Sequence, residues 1–202
     1  MNTLAYILDK YNFDNTARPP FKINGRRWED LPLLLNELGL VHGVELGVEQ
    51  GKYSERLCQL IPDIKLYSID AWTAYASYRE HVSQDKIDGF YRSTIERLAP
   101  YNVDVIKAFS MDAVELFGDG SLDFVYIDGN HEFVSVTQDI AHWSKKVRKG
   151  GIVAGHDFVR DKNRKYVNHV KDVVHAWTYS HGIRPWFVLS GDKSPSWFWV
   201  VE

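Results

Sequence analysis

Two aspartates and two histidines carry the densest chemical signal in the chain: Asp128-Gly129-Asn130-His131 and Gly155-His156-Asp157-Phe158. Each follows a short apolar run of strand length. Neighbouring parallel strands lie about 5 Å apart, so Asp128 and Asp157 converge if the two runs pair. Carboxylates that close repel unless a cation or a shared proton intervenes. A hard divalent cation with oxygen ligands, such as Mg²⁺ with its retained waters, meets that need. Side chains alternate faces along a strand, so His156 and Asp157 reach one ion only if the backbone turns there. The plainer reading has Asp157 cap a loop and His156 pack inward. His131 stands three residues past Asp128. An imidazole of reference pKa about 6.5 accepts a proton near neutrality, which suits a general base for a substrate hydroxyl. A histidine that merely starts a helix is the competing reading.

A second constellation precedes it. Glu45-Leu46-Gly47-Val48-Glu49-Gln50-Gly51 ends an apolar run and opens an amphipathic one. Glycines at 47 and 51 let backbone approach a ligand. The amides of Lys52 to Ser54 at the following helix start can receive a carboxylate or phosphate. Gly-x-Gly-x-x-Gly is absent, so the dinucleotide fingerprint is not met. Asp70, nineteen residues after Gly51, can accept bonds from ribose hydroxyls, or cap its own loop. Trp72 offers a stacking face for a base, although lone aromatics usually pack in cores. Ser110, Met111 and Asp112 follow another apolar run, placed for an adenine edge. His42, His81, His142, His169, His175 and His181 have no such setting and read as structural or surface residues. Tyr53, Tyr75, Tyr78, Phe90 and Tyr91 could line a substrate mouth, with core packing the default.

The elements that must position these groups alternate. Strands are expected at 42–47, 64–70, 103–108, 122–128 and 152–155, then at 183–190 and 197–201 as a terminal hairpin. Helices are expected at 31–40 (Asp30 as N-cap), 51–61, within 72–100, at 110–117 capped by Ser110, at 132–149 and at 163–181. The first thirty residues read as irregular after a short helix. Such alternation marks a parallel, doubly wound α/β sheet with helices on both faces, whose ligands bind at the carboxyl ends of its strands.

Composition narrows the class. Of 202 residues, 45% are apolar and 25% charged, which excludes disorder and fibrous repeats. A net charge of -3 argues against duplex nucleic acid as a partner. A single cysteine, Cys58, cannot form an internal disulfide, so a reducing, cytoplasmic setting is expected. Met1 to Lys10 lacks a secretory apolar core, and no apolar run nears the roughly 18 residues that span a bilayer.

Taken together these residues resemble class I S-adenosylmethionine-dependent methyltransferases. Val44-Glu45-Leu46-Gly47-x-x-x-Gly51 is similar to their first motif, and Tyr67-Ser68-Ile69-Asp70 to their second. The run Ser121 to His131, then Asp139, then Lys149 to Asp157 resembles small O-methyltransferases related to catechol and antibiotic-sugar O-methyltransferases. The resemblance spans residues 40–201. It implies a Rossmann-like seven-stranded sheet ordered 3-2-1-4-5-7-6 with the last strand antiparallel. Residues 41–202 would form the methyltransferase domain and residues 1–40 an N-terminal cap. It implies cofactor contacts at Glu45, Gly47, Gly51, Ser54, Asp70 and the Ser110-Met111 loop, beside which Trp72 and Asp128 are further candidate contacts. Asp128, His156 and Asp157 stand where metal-dependent members hold Mg²⁺, although His156 departs from the usual acid or amide. His131, beside Asp128, matches the base of some sugar O-methyltransferases. The expected partner is a small molecule bearing a hydroxyl, a sugar or phenol, and a homo-oligomer is compatible. Rival readings are a nucleotide- or NAD-dependent enzyme, a non-catalytic binding module docking through Trp197-Phe198-Trp199, and an RNA methyltransferase using the basic segments 145–149 and 160–165.

Overall fold

The computed structural model describes residues 2–14, 16–74, 83–160 and 167–202. Helices α1 (Thr3–Lys10), α2 (Asp30–Glu37), α3 (Lys52–Leu60), α4 (Gln84–Leu98), α5 (Ser110–Ala113), α6 (Phe133–Lys146) and α7 (Val170–Ser180) alternate with strands. The strands are β1 (Phe21–Ile23), β2 (His42–Leu46), β3 (Lys65–Asp70), β4 (Val103–Lys107), β5 (Leu122–Ile127), β6 (Val147–Gly155), β7 (Phe187–Leu189) and β8 (Ser196–Val200). They form one sheet in the order β1-β7-β8-β6-β5-β2-β3-β4. Only β8 runs antiparallel to its neighbours.

Alternation along each strand splits the core into two layers. On β5, Phe124 and Tyr126 face the layer that holds Leu34, Leu35 and Leu57 of α2 and α3. Leu122, Val125 and Ile127 face the layer that holds Val136, Ile140, Trp143 and Val174 of α6 and α7. On β8, Phe198 and Val200 take the first layer while Trp197 and Trp199 take the second. Helices therefore cover both faces, as the apolar strands require.

Register brings the chemistry to one edge. Leu46 pairs with Ile69 and with Ile127, and Ile127 pairs with Gly155. The next residue on each strand continues the ladder: Gly47 N–H donates to Ile69, Asp128 N–H to Leu46 and His156 N–H to Ile127, at 2.8–3.0 Å. Gly47, Asp70, Asp128 and His156 thus stand side by side at the carboxyl edge.

Seven strands follow the expected order, and an eighth joins them. The stretch read as irregular supplies β1, which pairs in parallel with β7; Phe21 and Ile23 are buried around an exposed Lys22. A three-residue strand is too short to show alternation in sequence. The sixth helix stops at Lys146 rather than Lys149, and the expected turn at Gly150-Gly151 lies within β6. Asp30 and Ser110 are first helical residues, not N-caps. Asp30 instead accepts the Arg26 N–H at 2.6 Å. Trp197-Phe198-Trp199 is no docking edge: β8 is bonded on both sides and all three rings are buried. The expected helix at 163–181 begins at Val170 among the described residues. Among those residues, no helix is long and apolar enough to cross a membrane.

Candidate active site

The loop after β2 is built around two backbone positions that other residues resist. Gly47 has φ +84°, and a β-carbon there would lie 2.2 Å from the Asp128 carbonyl oxygen. Gly51 has φ +71° and precedes α3 in left-handed conformation. No side chain caps α3, so the amides of its first turn point outward without an intrahelical partner.

Asp70 closes this loop from the neighbouring strand. One carboxyl oxygen accepts the Glu49 N–H and the other the Trp72 N–H, each at 2.9 Å. Burial raises the Asp70 carboxyl above its ordinary range, and these backbone bonds oppose the shift. The Val48 and Ala71 amides pull in the same direction. Trp72 corrects the expectation of a stacking face. Its ring is only 2% exposed, packed against Tyr91, and its indole N–H donates to the Glu49 carbonyl at 2.8 Å. Both faces are spent on packing, so Trp72 fixes the loop from beneath.

Glu45 and Ser54 also lie beneath the loop, not on its rim. Ser54 donates to Glu45, and its oxygen lies 2.8 Å from the Ser68 hydroxyl. Both residues are buried. Burial pushes the Glu45 carboxyl up to about 8 against the pull of the Ser54 bond, which keeps it mostly protonated at neutral pH. The pair ties β2 to α3. Ser110 begins α5, and its hydroxyl donates to Asp139 at 2.5 Å. Asp139, on α6, is pushed by burial up to about 6, with the Ser110 bond working in the other direction. Met111 packs partly buried on the second core layer, while Asp112 is exposed.

Beside this loop the two Asp–His motifs meet. His131 Nε2 lies 3.7 Å from an Asp128 oxygen and 3.2 Å from an Asp157 oxygen. His156 Nδ1 lies 3.4 Å from Asp128 and 3.3 Å from Asp157. Asp157 has φ +54°; this is the backbone turn that lets successive residues of one strand end face the same point. Ser194 of the β7–β8 turn donates to Asp157, and Trp197 holds the His156 carbonyl at 3.1 Å. His131 precedes α6, and its carbonyl accepts the His169 N–H at 2.9 Å. The four side chains are each 12–17% exposed, partly dry yet reachable.

Arg27 is the member that sequence reading missed. Its guanidinium donates to Asp128 at 2.6 Å and approaches the Tyr126 hydroxyl at 3.5 Å. It lies about 5 Å from the rings of Trp28 and Tyr53. Burial alone would raise the Asp128 carboxyl. Bonds from His131 and His156, with the positive charge of Arg27, hold it well below its usual range instead. Arg26-Arg27-Trp28 carries no local motif; only β1 and the turn after it bring Arg27 across the sheet.

As a magnesium site the cluster fits poorly. Mg²⁺ favours oxygen ligands in near-octahedral geometry. Here Asp128, His131 and Asp157 offer atoms within 4.8 Å of one another, and His156 adds a second imidazole. One Asp128 oxygen already accepts the guanidinium.

Of the other residues singled out, Tyr53 is buried against Tyr126, and Phe90 and Tyr91 pack around Trp72. Tyr75, Tyr78, His81 and residues 161–166 lie outside the described residues. Lys146 and Arg160 are engaged with Asp119 and Asp172.

A family model described as a methyltransferase domain matches residues 44–158. No curated protein matches. Among solved structures, the chain is similar to an O-methyltransferase from Bacillus cereus in complex with S-adenosylhomocysteine. The two share 19% identity over 99% of this chain and 91% of that one, with a TM-score of 0.63. It is also similar to an O-methyltransferase from Streptomyces achromogenes involved in tomaymycin synthesis, in complex with S-adenosylmethionine. That match has 16% identity, covers 100% of this chain and 91% of the other, and has a TM-score of 0.62. At these identities the likeness is one of fold.

Proposed function

Because the chain belongs to the methyltransferase-domain family, we propose that it carries a methyl group from S-adenosylmethionine to a hydroxyl oxygen of a small molecule. The observation that carries this reading is the close packing of the Gly47 backbone on Asp128, which sets the glycine loop directly against a histidine–carboxylate cluster. The first forty residues contribute a strand and two helices to the fold, and Arg27 reaches the cluster from among them.

The residues suit the nucleoside. Gly47 and Gly51 supply the left-handed backbone that shapes the loop, and Asp70 at the end of β3 faces the ribose hydroxyls. The turn at Ser110 and Met111 borders the base. Glu45, Ser54 and Trp72 support these contacts from below. Bound S-adenosylmethionine supplies an electrophilic sulfonium methyl group, so the protein's work is alignment and proton removal.

His131 takes the proton from the acceptor hydroxyl as the oxygen attacks the methyl carbon and the carbon–sulfur bond breaks. Its ring lies between Asp128 and Asp157, which orient it. Asp128 at the end of β5 also borders the sulfonium side of the loop.

The test is direct. The purified protein is titrated with S-adenosylhomocysteine by calorimetry, then incubated with S-adenosylmethionine and a panel of sugars and catechols. Saturable binding and a methylated hydroxyl seen by mass spectrometry are expected. Tight NAD binding with no S-adenosylhomocysteine binding would overturn the reading.

A further inference from the structure

Two carboxylates at one strand edge need a positive charge near them, and the chain provides one. Arg27 reaches Asp128 from the N-terminal segment, about a hundred residues earlier in sequence. Its backbone N–H donates to the Asp192 carboxylate at 2.7 Å. Its guanidinium lies against the rings of Trp28 and Tyr53, and its side chain is only 15% exposed. It is therefore held at both ends before any ligand arrives. A guanidinium does not lose its proton in a protein, so this charge is permanent. It is also a planar donor matched to a carboxylate edge, unlike a compact ion that demands a shell of oxygens.

We propose that Arg27 is the resident cation of this rim: it occupies the electrostatic place of a divalent ion at Asp128, and so makes methyl transfer independent of added metal. The inference rests on the methyltransferase reading and deepens it. Arg27 acts through Asp128 and is a positioning residue. It spends one Asp128 oxygen and leaves the other facing His131 and His156. A divalent cation entering among these groups would face a fixed positive charge across the same carboxylate. Because Arg27 is delivered by the turn after β1, the site's charge balance depends on a segment outside the matched residues 44–158.

Manganese binding, followed by the loss of free Mn²⁺ electron-spin signal, tests this on the full chain. The wild type, Arg27→Met and Arg27→Lys are compared, each checked by thermal melting and by calorimetric titration with S-adenosylhomocysteine. The wild type and Arg27→Lys are expected to bind Mn²⁺ at least tenfold more weakly than Arg27→Met, with EDTA leaving wild-type turnover unchanged. Equal Mn²⁺ affinity in wild type and Arg27→Met, including none in either, overturns the proposal. If Arg27→Met fails to fold, the wild type alone decides: micromolar Mn²⁺ binding, or EDTA inhibition reversed by Mn²⁺ or Mg²⁺, overturns it. S-adenosylhomocysteine binding beside tight Mn²⁺ binding removes only the role of Arg27. Absence of S-adenosylhomocysteine binding removes the methyltransferase reading itself.

Discussion

The Gly47 α-carbon rests on the Asp128 carbonyl so closely that an added β-carbon would come within 2.2 Å of its oxygen. The loop after β2 and the end of β5 are therefore one unit. Gly47→Ala must strain a left-handed backbone by about 1–2 kcal/mol and also push β5 aside. A fall in melting temperature of more than about 4 °C is expected, with weaker S-adenosylhomocysteine binding. Calorimetry on the variant checks both.

His131→Ala should lower turnover by about a hundredfold to ten-thousandfold, the usual range for losing a general base. Affinity for S-adenosylhomocysteine should hold, because Asp70, Trp72, Thr94 and Arg97 hold the loop in place. Steady-state rates beside a binding isotherm separate the two effects. Unchanged turnover would remove His131 from the chemistry.

Asp70→Ala should weaken S-adenosylhomocysteine binding by about tenfold to a hundredfold, the range for bonds to a charged group. It also frees the Glu49 and Trp72 amides, which Asp70 now holds. Faster hydrogen exchange at these two amides should accompany the loss. Intact affinity would discard the ribose assignment.

Glu45 makes folding stability depend on pH. Its folded pKa of about 8 lies above the ordinary 4.5, so the native state binds the extra proton. The contribution is complete below pH 4.5 and is lost as pH rises through about 8. Its size is on the order of a few kcal/mol. Glu45→Gln mimics the protonated group and should flatten the decline in urea midpoint between pH 5 and 8. An identical decline in both proteins would contradict this assignment.

Much of the fold was legible because buried parallel strands announce themselves as short apolar runs between turns. Phe124-Val125-Tyr126-Ile127 is such a run, and its two-layer alternation follows from strand geometry. The convergence of Asp128, His131, His156 and Asp157 was legible for the same reason, since each stands at the end of one of those runs. Trp72 misled because a tryptophan beside an acidic strand end has the same letters whether its ring faces a ligand or a core. Glu45 and Ser54 were named as ligand contacts yet lie buried beneath the loop, since sequence does not show which side of a turn is solvent. Arg27 was illegible altogether. Its partner lies 101 positions away, and the three-residue strand that steers it is too short to leave a periodic trace.

The pairing of β1 with β7 has a consequence for biosynthesis. The earliest of the eight strands finds its partner only when the seventh has been made. On the ribosome β2 to β6 can assemble while Phe21–Ile23 still waits, so β1 takes its place, with Arg27 just beyond it, only after β7 has been made. The enzyme's charge is completed by a segment synthesised long before the carboxylate it serves.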